Sequence, residues 1–135
     1  MVPGARGAPA SKWEIDMKVM LLAYESPGDF ETRDDKAKSG AYFNAWKAFG
    51  ASLHQGGVYV RGAALCGPET ATLISVENGK RSVQDGPFAD AKEQLGGLVI
   101  IDVPDMETAA KWAAKCPAAA SGRVEARPVP NYGEE

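Results

Sequence analysis

The stretch LVIIDVPDMETAAKWA, residues 98–113, places a buried strand directly before a capped helix. Leu98 to Val103 carry apolar side chains on both faces, which is typical of a strand inside a sheet. Asp105 then stands where a carboxylate can accept the free N–H groups of a helix start, and Pro117 is expected to end the helix. Helical spacing predicts one buried face, made of Met106, Ala109, Ala110 and Ala113.

A second strand and helix precede this unit in the same order. Met17 to Tyr24 is largely apolar and predicts a buried central strand, and residues 26–29, Ser-Pro-Gly-Asp, predict a turn after it. A helix is predicted from Asp34 to Gln55, with the two glycines at 56–57 as its stop. Its apolar face is expected to contain Tyr42, Trp46, Phe49 and Leu53.

The remaining segments predict a mainly antiparallel sheet. Val58 to Leu65 predicts a strand, and two further strands, Thr70 to Glu77 and Lys80 to Gln84, flank Asn78-Gly79, the strongest short hairpin signal. Arg123 to Val129 alternates charged and apolar residues, as in a strand with one face in water. The order β-α-β-β-(hairpin)-β-α-β predicts an α+β domain with two helices on one face of the sheet. We expect dimerisation through the other face, because no helix is left to cover it.

The composition is that of one ordinary globular domain. The 135 residues are 44% hydrophobic and carry a net charge of -3, which excludes the concentrated basic face that nucleic-acid binding requires. No apolar run approaches the ~20 residues of a membrane span. One histidine and two cysteines exclude metal sites built from several imidazoles and a disulfide framework. We therefore expect a cytoplasmic protein without a metal or other cofactor.

The domain boundaries follow from the distribution of apolar residues. Residues 1–16 combine repeated prolines and glycines with no periodic apolar pattern, which predicts a disordered N-terminal arm. Residues 17–130 form the predicted domain. Residues 131–135 are expected to be a frayed, acidic C-terminal tail.

The segment 85–97 is the most unusual of the chain, and it supplies the candidate catalytic residues. Asp85-Gly-Pro fixes a sharp bend, and Phe88 is expected to point inward. One interpretation is a fixed loop with solvated charges, including one helical turn from Asp90 to Leu95. The other makes the loop a wall of a small-molecule pocket, with polar groups at its rim. Those groups are Asp85, Lys92 and Glu93.

Three further residues are candidates for lining a ligand pocket. His54 is the only imidazole, but a histidine in the last turn of a helix also simply suits the helix dipole. Trp46 lies on the apolar face of its helix, where core packing is the plainer explanation. Arg61 interrupts an apolar run and either meets an anionic ligand or forms an ion pair. Cys66 and Cys116 are both interpreted as small apolar residues.

The loop motif resembles that of a known family. Asp85-Gly-Pro-Phe, followed by Lys92-Glu-Gln-Leu-Gly-Gly, Asp102-Val-Pro-Asp and Cys116-Pro-Ala, is similar to the DGPF branch of the YCII-related family. The resemblance runs from about Met17 to Val129. It implies a ferredoxin-like α+β domain of the dimeric α+β barrel type, which pairs sheet to sheet. Relatives in this branch are often encoded beside extracytoplasmic-function sigma factors.

The same resemblance argues against the best-understood chemistry of the family. Its YCII branch uses a histidine on the first helix and an aspartate after the second helix as a proposed acid–base pair, and some of these relatives are dehydrochlorinases. Those positions fall near Trp46 and at Cys116 in this sequence. The family therefore implies the fold more strongly than the activity.

Three functions follow from these patterns. The first is a dimeric module that binds a small molecule or a partner without catalysis. The second is a cofactor-free lyase- or isomerase-like enzyme with a pocket built around Asp85, Lys92, Glu93 and His54. In it, a buried carboxylate acts as a base and Lys92 stabilises an oxyanion. The third is an accessory protein of sigma-factor signalling that is recognised through its surface.

Overall fold

The described residues of the chain form eight strands and four helices. The computed structural model describes residues 2–3, 6–7, 17–86 and 92–131. The strands are β1 (Val2–Pro3), β2 (Arg6–Gly7), β3 (Met17–Glu25), β4 (Tyr59–Ala64), β5 (Thr72–Glu77), β6 (Lys80–Asp85), β7 (Gln94–Val103) and β8 (Arg123–Pro128). The helices are α1 (Pro27–Asp34), α2 (Ser39–Gln55), α3 (Met106–Ala114) and α4 (Ala118–Ser121), with a 3-10 turn at Pro68–Thr70.

The main sheet has four antiparallel strands in the order β4-β7-β3-β8. Strand β3 lies between β7 and β8, as its apolar sequence predicts. The strand pairs and the interleaved helices confirm the predicted α+β, ferredoxin-like arrangement. No helix among the described residues is long and apolar enough to cross a membrane.

One face of this sheet carries the core. Alternate side chains of β3 face the helices, and the side chains of their register partners on β7 lie on the same face. Side chains of α2 and α3 complete the buried layer. Its largest members are Val19, Leu21, Phe49, Leu53, Ile101 and Val103.

The opposite face of the sheet has no helix over it among the described residues. Its centre is apolar, since Met20 pairs with Ile100 and Leu22 pairs with Leu98 across β3 and β7. These four side chains are only half-buried. Arg61 lies at the edge of the same face, paired with Ile100. We name this surface, Met20, Leu22, Leu98 and Ile100, the open face.

The predicted hairpin forms a separate two-stranded sheet. Strands β5 and β6 pair from Thr72–Asp85 to Glu77–Lys80. Asn78 and Gly79 have φ values of 53° and 77°, the left-handed conformation that the tight turn requires. The hairpin also exposes Ile74, Val76 and Val83.

The first helical region differs from the prediction. Residues 26–29 were expected to form a turn, but Ser26 caps α1, which is the helix Pro27–Asp34. The Ser26 hydroxyl accepts the Asp29 N–H, and the Asp29 carboxylate accepts the Ser26 N–H. This reciprocal cap satisfies two backbone donors at once and makes the helix stable there. The helix predicted from Asp34 therefore begins only at Ser39, although it ends at Gln55 as expected.

The second helical region is closer to the prediction. Asp105 caps α3 by accepting the Thr108 N–H at 2.7 Å, and Ala109 and Ala113 are buried as expected. Ala110 is exposed, so its assignment to the buried face was wrong. A short helix, α4, follows Pro117, so the described residues contain four helices where two were expected.

Some predicted features fall outside the described residues. They include Phe88 and most of the 1–16 arm, of which only the short strands β1 and β2 are described. The tail beyond residue 131 also lies outside. Gln94 and Leu95 belong to strand β7, so the helical turn expected to reach Leu95 does not include them.

Candidate ligand-binding site

An acid lies in the core layer at the end of strand β3. Strand alternation places Glu25 on the same face as Val19, Leu21 and Ala23, and its side chain is 2% exposed. A buried carboxylate is costly unless it is paired or hydrogen-bonded. The surroundings of Glu25 therefore define the site.

Two side chains from different helices contact this carboxyl group. The Tyr42 hydroxyl of α2 donates a hydrogen bond to Glu25 Oε1. Arg33 of α1 places Nη1 3.5 Å from Glu25 Oε2, and its Nη2 donates to the Leu65 carbonyl. The helix that the sequence did not predict thus supplies the only cation paired with Glu25 in the described part of the chain.

Burial is the largest influence on the pKa values of Glu25 and Tyr42. It raises the pKa of Glu25 above its ordinary value, although the Tyr42 hydrogen bond and the Arg33 charge oppose that effect. Burial and the hydrogen bond to Glu25 also raise the pKa of Tyr42, so its hydroxyl keeps its proton. The Glu25 carboxyl group is therefore the proton-exchanging member of the pair.

Gly96 makes room for this carboxyl group. A Cβ atom built at position 96 would overlap Glu25 Oε2 and Cδ. The close approach at Gly96 of strand β7 therefore has a specific partner, the Glu25 carboxyl group. The pair of glycines leaves backbone, rather than side chains, beside the acid.

A cavity of about 210 Å³ opens beside Glu25, between α2 and the strands β4 and β7. We call it the Glu25 cavity. Arg33, Tyr42 and Trp46 lie with Glu25 in its lining, and Gly50 contributes a gap in the wall of α2. The rest of the wall is largely apolar and contains Phe43, Phe49, Leu53, Tyr59 and Val99.

Two polar atoms at this cavity have no hydrogen-bond partner among the described residues. They are Arg33 Nη1 and Trp46 Nε1, and both are buried. The Trp46 indole faces the Tyr42 hydroxyl closely enough to lower the pKa of that group. Both atoms are hydrogen-bond donors, so a ligand at the polar end of the cavity could accept hydrogen bonds from them.

A comparison with known families agrees with this fold. The profile of the YCII-related domain matches residues 17–132, which is nearly the whole chain. The chain belongs to the YCII-related domain family. A search of curated proteins finds no match to it.

The YCII-related assignment allows the Glu25 cavity to be compared with the acid–base positions that the resemblance implies. The resemblance to the family led us to expect its acid–base positions near Trp46 and at Cys116. Trp46 lines the Glu25 cavity, while burial, and to a smaller extent the Glu25 charge, raise the pKa of the Cys116 thiol to about 11. Glu25, on strand β3, lines the same cavity as Trp46.

The loop residues proposed from the sequence lie apart from Glu25. Lys92 is exposed, and Glu93 forms an ion pair with Arg123 at 2.9 Å. Both line a surface depression beside Tyr24. Asp85 is exposed at the end of β6 and lines neither that depression nor the Glu25 cavity.

The three predicted pocket residues with described side chains have separate positions. Trp46 lines the Glu25 cavity. His54 is exposed and stacks on Tyr59, with ring centroids 4.1 Å apart. Arg61 is exposed on the open face, away from the cavity. Only Trp46 among them adjoins the buried acid.

The described residues offer no metal site of the usual kind. They contain no group of three or more His, Cys, Asp or Glu side chains that could hold an ion.

Proposed function

We propose that this YCII-related domain binds a small, largely apolar molecule in the Glu25 cavity. The observation that carries the proposal is the arrangement of the cavity: an apolar wall that ends at a buried acid and at two buried donors that lack a hydrogen-bond partner among the described residues. Binding pockets of this kind combine an apolar lining with a few convergent polar groups that orient the ligand.

The energetics support a functional reason for the cluster. A buried ion pair adds little stability compared with apolar residues of similar volume. A cavity also removes packing contacts that a larger side chain would make. The buried charged groups and the cavity therefore both reduce the stability of the fold at the same place. A ligand-binding function explains why both are present.

The helix α2 offers a matched pair of variants for testing this site. Gly50 lines the cavity, and a Cβ atom there meets nothing within 4 Å. Gly40 lies in the same helix, is exposed and also has free space around it. Gly50→Leu should fill the cavity, whereas Gly40→Leu should leave it open.

The probes are benzoate, benzyl alcohol and benzylamine, titrated into the full chain with detection by two-dimensional amide NMR. At least one probe should shift the amide signals of Gly50, Ala63 and Gly97, all of which line the cavity. Gly50→Leu should abolish those shifts, and Gly40→Leu should retain them. The proposal is wrong if no probe shifts these signals, or if Gly50→Leu leaves the shifts intact.

We further propose that two copies pair through the open face, as the sequence led us to expect. Support comes from its four half-buried apolar side chains, which have no cover in the described part of one chain. An apolar sheet face of this kind is normally covered by another element or another molecule.

We also place the protein in the DGPF branch and in the cytoplasm as proposals. The Asp85-Gly-Pro-Phe motif supports the branch. The two free cysteines, Cys66 on the surface and Cys116 in the core, support a reducing compartment.

A further inference from the structure

We infer that the ligand of the Glu25 cavity is a small carboxylic acid with an apolar body, and that Arg33 Nη1 receives its carboxylate. This inference rests on the function proposed above and specifies the ligand class. It is drawn from the hydrogen-bonding state of Arg33, the position of Trp46 and the size of the cavity.

Arg33 is held in place with one donor unused. Its side chain is 10% exposed, and Nη2 is anchored on the Leu65 carbonyl. Nη1 lacks a hydrogen-bond partner among the described residues and is 3.5 Å from Glu25 Oε2. A buried donor without a partner destabilises the folded protein, and a guanidinium is well suited to binding a carboxylate.

Trp46 adds a second unused donor at the same end of the cavity. The Tyr42 hydroxyl already donates its proton to Glu25, so it has no proton left to donate to a ligand. Trp46 Nε1 lies near the Tyr42 hydroxyl but makes no hydrogen bond of normal geometry to any described residue. A ligand that matches this end must therefore bring acceptor oxygens rather than donors, which favours a carboxylate over an ammonium group.

Glu25 can admit an anion beside it by taking up a proton. The groups that act on it are Tyr42, Arg33 and, more weakly, Asp29, while the neighbouring Cys116 thiol stays neutral. Burial already raises the pKa of Glu25. A second carboxylate nearby raises that pKa further, so ligand binding should take up a proton at Glu25.

The volume sets the size of the apolar body. A cavity of roughly 150 Å³ lined by aliphatic and aromatic side chains admits benzene. The Glu25 cavity measures about 210 Å³, which leaves room for one ring and a carboxylate. Phe43, Phe49, Leu53 and Val99 provide the apolar contacts.

The test compares the three probes, which share a ring and differ in the charge of the attached group. Amide NMR titration of the full chain should give a Kd for benzoate that is lower than that for benzyl alcohol by about tenfold, the effect of one charge-assisted hydrogen bond. Benzylamine should bind more weakly than both. Arg33→Gln should remove the preference for benzoate, so that benzoate and benzyl alcohol then bind with similar Kd values.

The outcomes separate this inference from the proposed function. Equal binding of benzoate and benzyl alcohol, or a preference for benzylamine, overturns the inference while the cavity remains a binding site. Benzoate binding that survives Gly50→Leu also overturns it, since the carboxylate then binds elsewhere. Binding of no probe overturns the proposed function itself.

A measurement on the unaltered protein covers the case in which Arg33→Gln fails to fold. The Kd of benzoate should rise as the pH increases from above 4.5 through the raised pKa of Glu25, because Glu25 then loses the proton that the bound anion requires. The Kd of benzyl alcohol should change less over the same range. A benzoate Kd that is constant or falls with pH would show that the carboxylate does not lie beside Glu25.

Discussion

Glu25 and Gly96 occupy one space, because any side chain at position 96 would overlap the Glu25 carboxyl group. In the register of β3 and β7, Glu25 pairs with Gln94, and Gly96 lies at the irregularity of that ladder, between Leu95 and Gly97. The buried acid is therefore possible only because strand β7 carries a glycine there. A glycine in a strand interior otherwise weakens the strand, and it often marks such a close approach.

This relationship predicts a coupled pair of substitutions. Gly96→Ala should destabilise the fold by about 1–3 kcal/mol, the usual effect of overpacking a core. Urea unfolding would measure the change, with Gly40→Ala as a control that should be neutral or stabilising, since nothing lies near a Cβ atom at position 40. In the Glu25→Ala background the effect of Gly96→Ala should shrink. An undiminished effect would contradict the steric explanation.

The burial of Glu25 predicts a pH dependence of stability. Its pKa in the folded protein is raised above 4.5, so the folded state binds more protons than the unfolded state as the pH rises from about 4.5 through the folded pKa. The free energy of unfolding should therefore fall across that window in the wild type, relative to Glu25→Gln. Urea unfolding at several pH values measures the difference. A difference that is constant with pH, or that changes in the opposite direction, would argue against a raised pKa.

The open face predicts a dimer that a single charge disrupts. Ile100 lies at its centre, with Met20 and Arg61 beside it, so Ile100→Lys would place a second cation next to Arg61. We expect sedimentation velocity to show a dimer for the wild type and a monomer for Ile100→Lys. Ala110→Lys, on the exposed side of α3, should leave the dimer intact. A monomeric wild type would disprove the proposed dimer.

The two cysteines should differ in their reaction with thiol reagents. Cys66 is exposed, whereas Cys116 is buried and its thiol pKa is raised to about 11. The thiolate is the reactive form, so the native protein should consume one equivalent of a disulfide reagent near pH 8, and a second only after unfolding. Cys66→Ser should abolish the native reaction. Rapid modification of Cys116 in native Cys66→Ser would contradict its burial.

The sequence predicts the strands better than the helices. The apolar runs of β3 and β7 and the Asn78-Gly79 turn have strong local signals, and all three form as predicted. Helix α1 was missed because Pro27-Gly28 is typical of a turn. The helix depends instead on a reciprocal bond between Ser26 and Asp29, three residues apart.

The candidate site was harder to predict because its residues come from separate elements. Glu25 looks like the polar end of an apolar strand, and only its register opposite the Gly96 region places it in the core. Arg33 comes from the missed helix. Tyr42 was expected on the correct helix face, but nothing local in the sequence indicated that its hydroxyl would meet an acid.

The β5–β6 hairpin enters and leaves the domain at nearly one point. The Gly86 N–H donates to the Ala71 carbonyl at 2.7 Å, so the two ends of the hairpin already meet. A segment whose ends meet can change length with a small effect on chain entropy. Relatives can therefore differ in the length of this hairpin, or replace it by a tight loop, while keeping the main sheet and the Glu25 cavity.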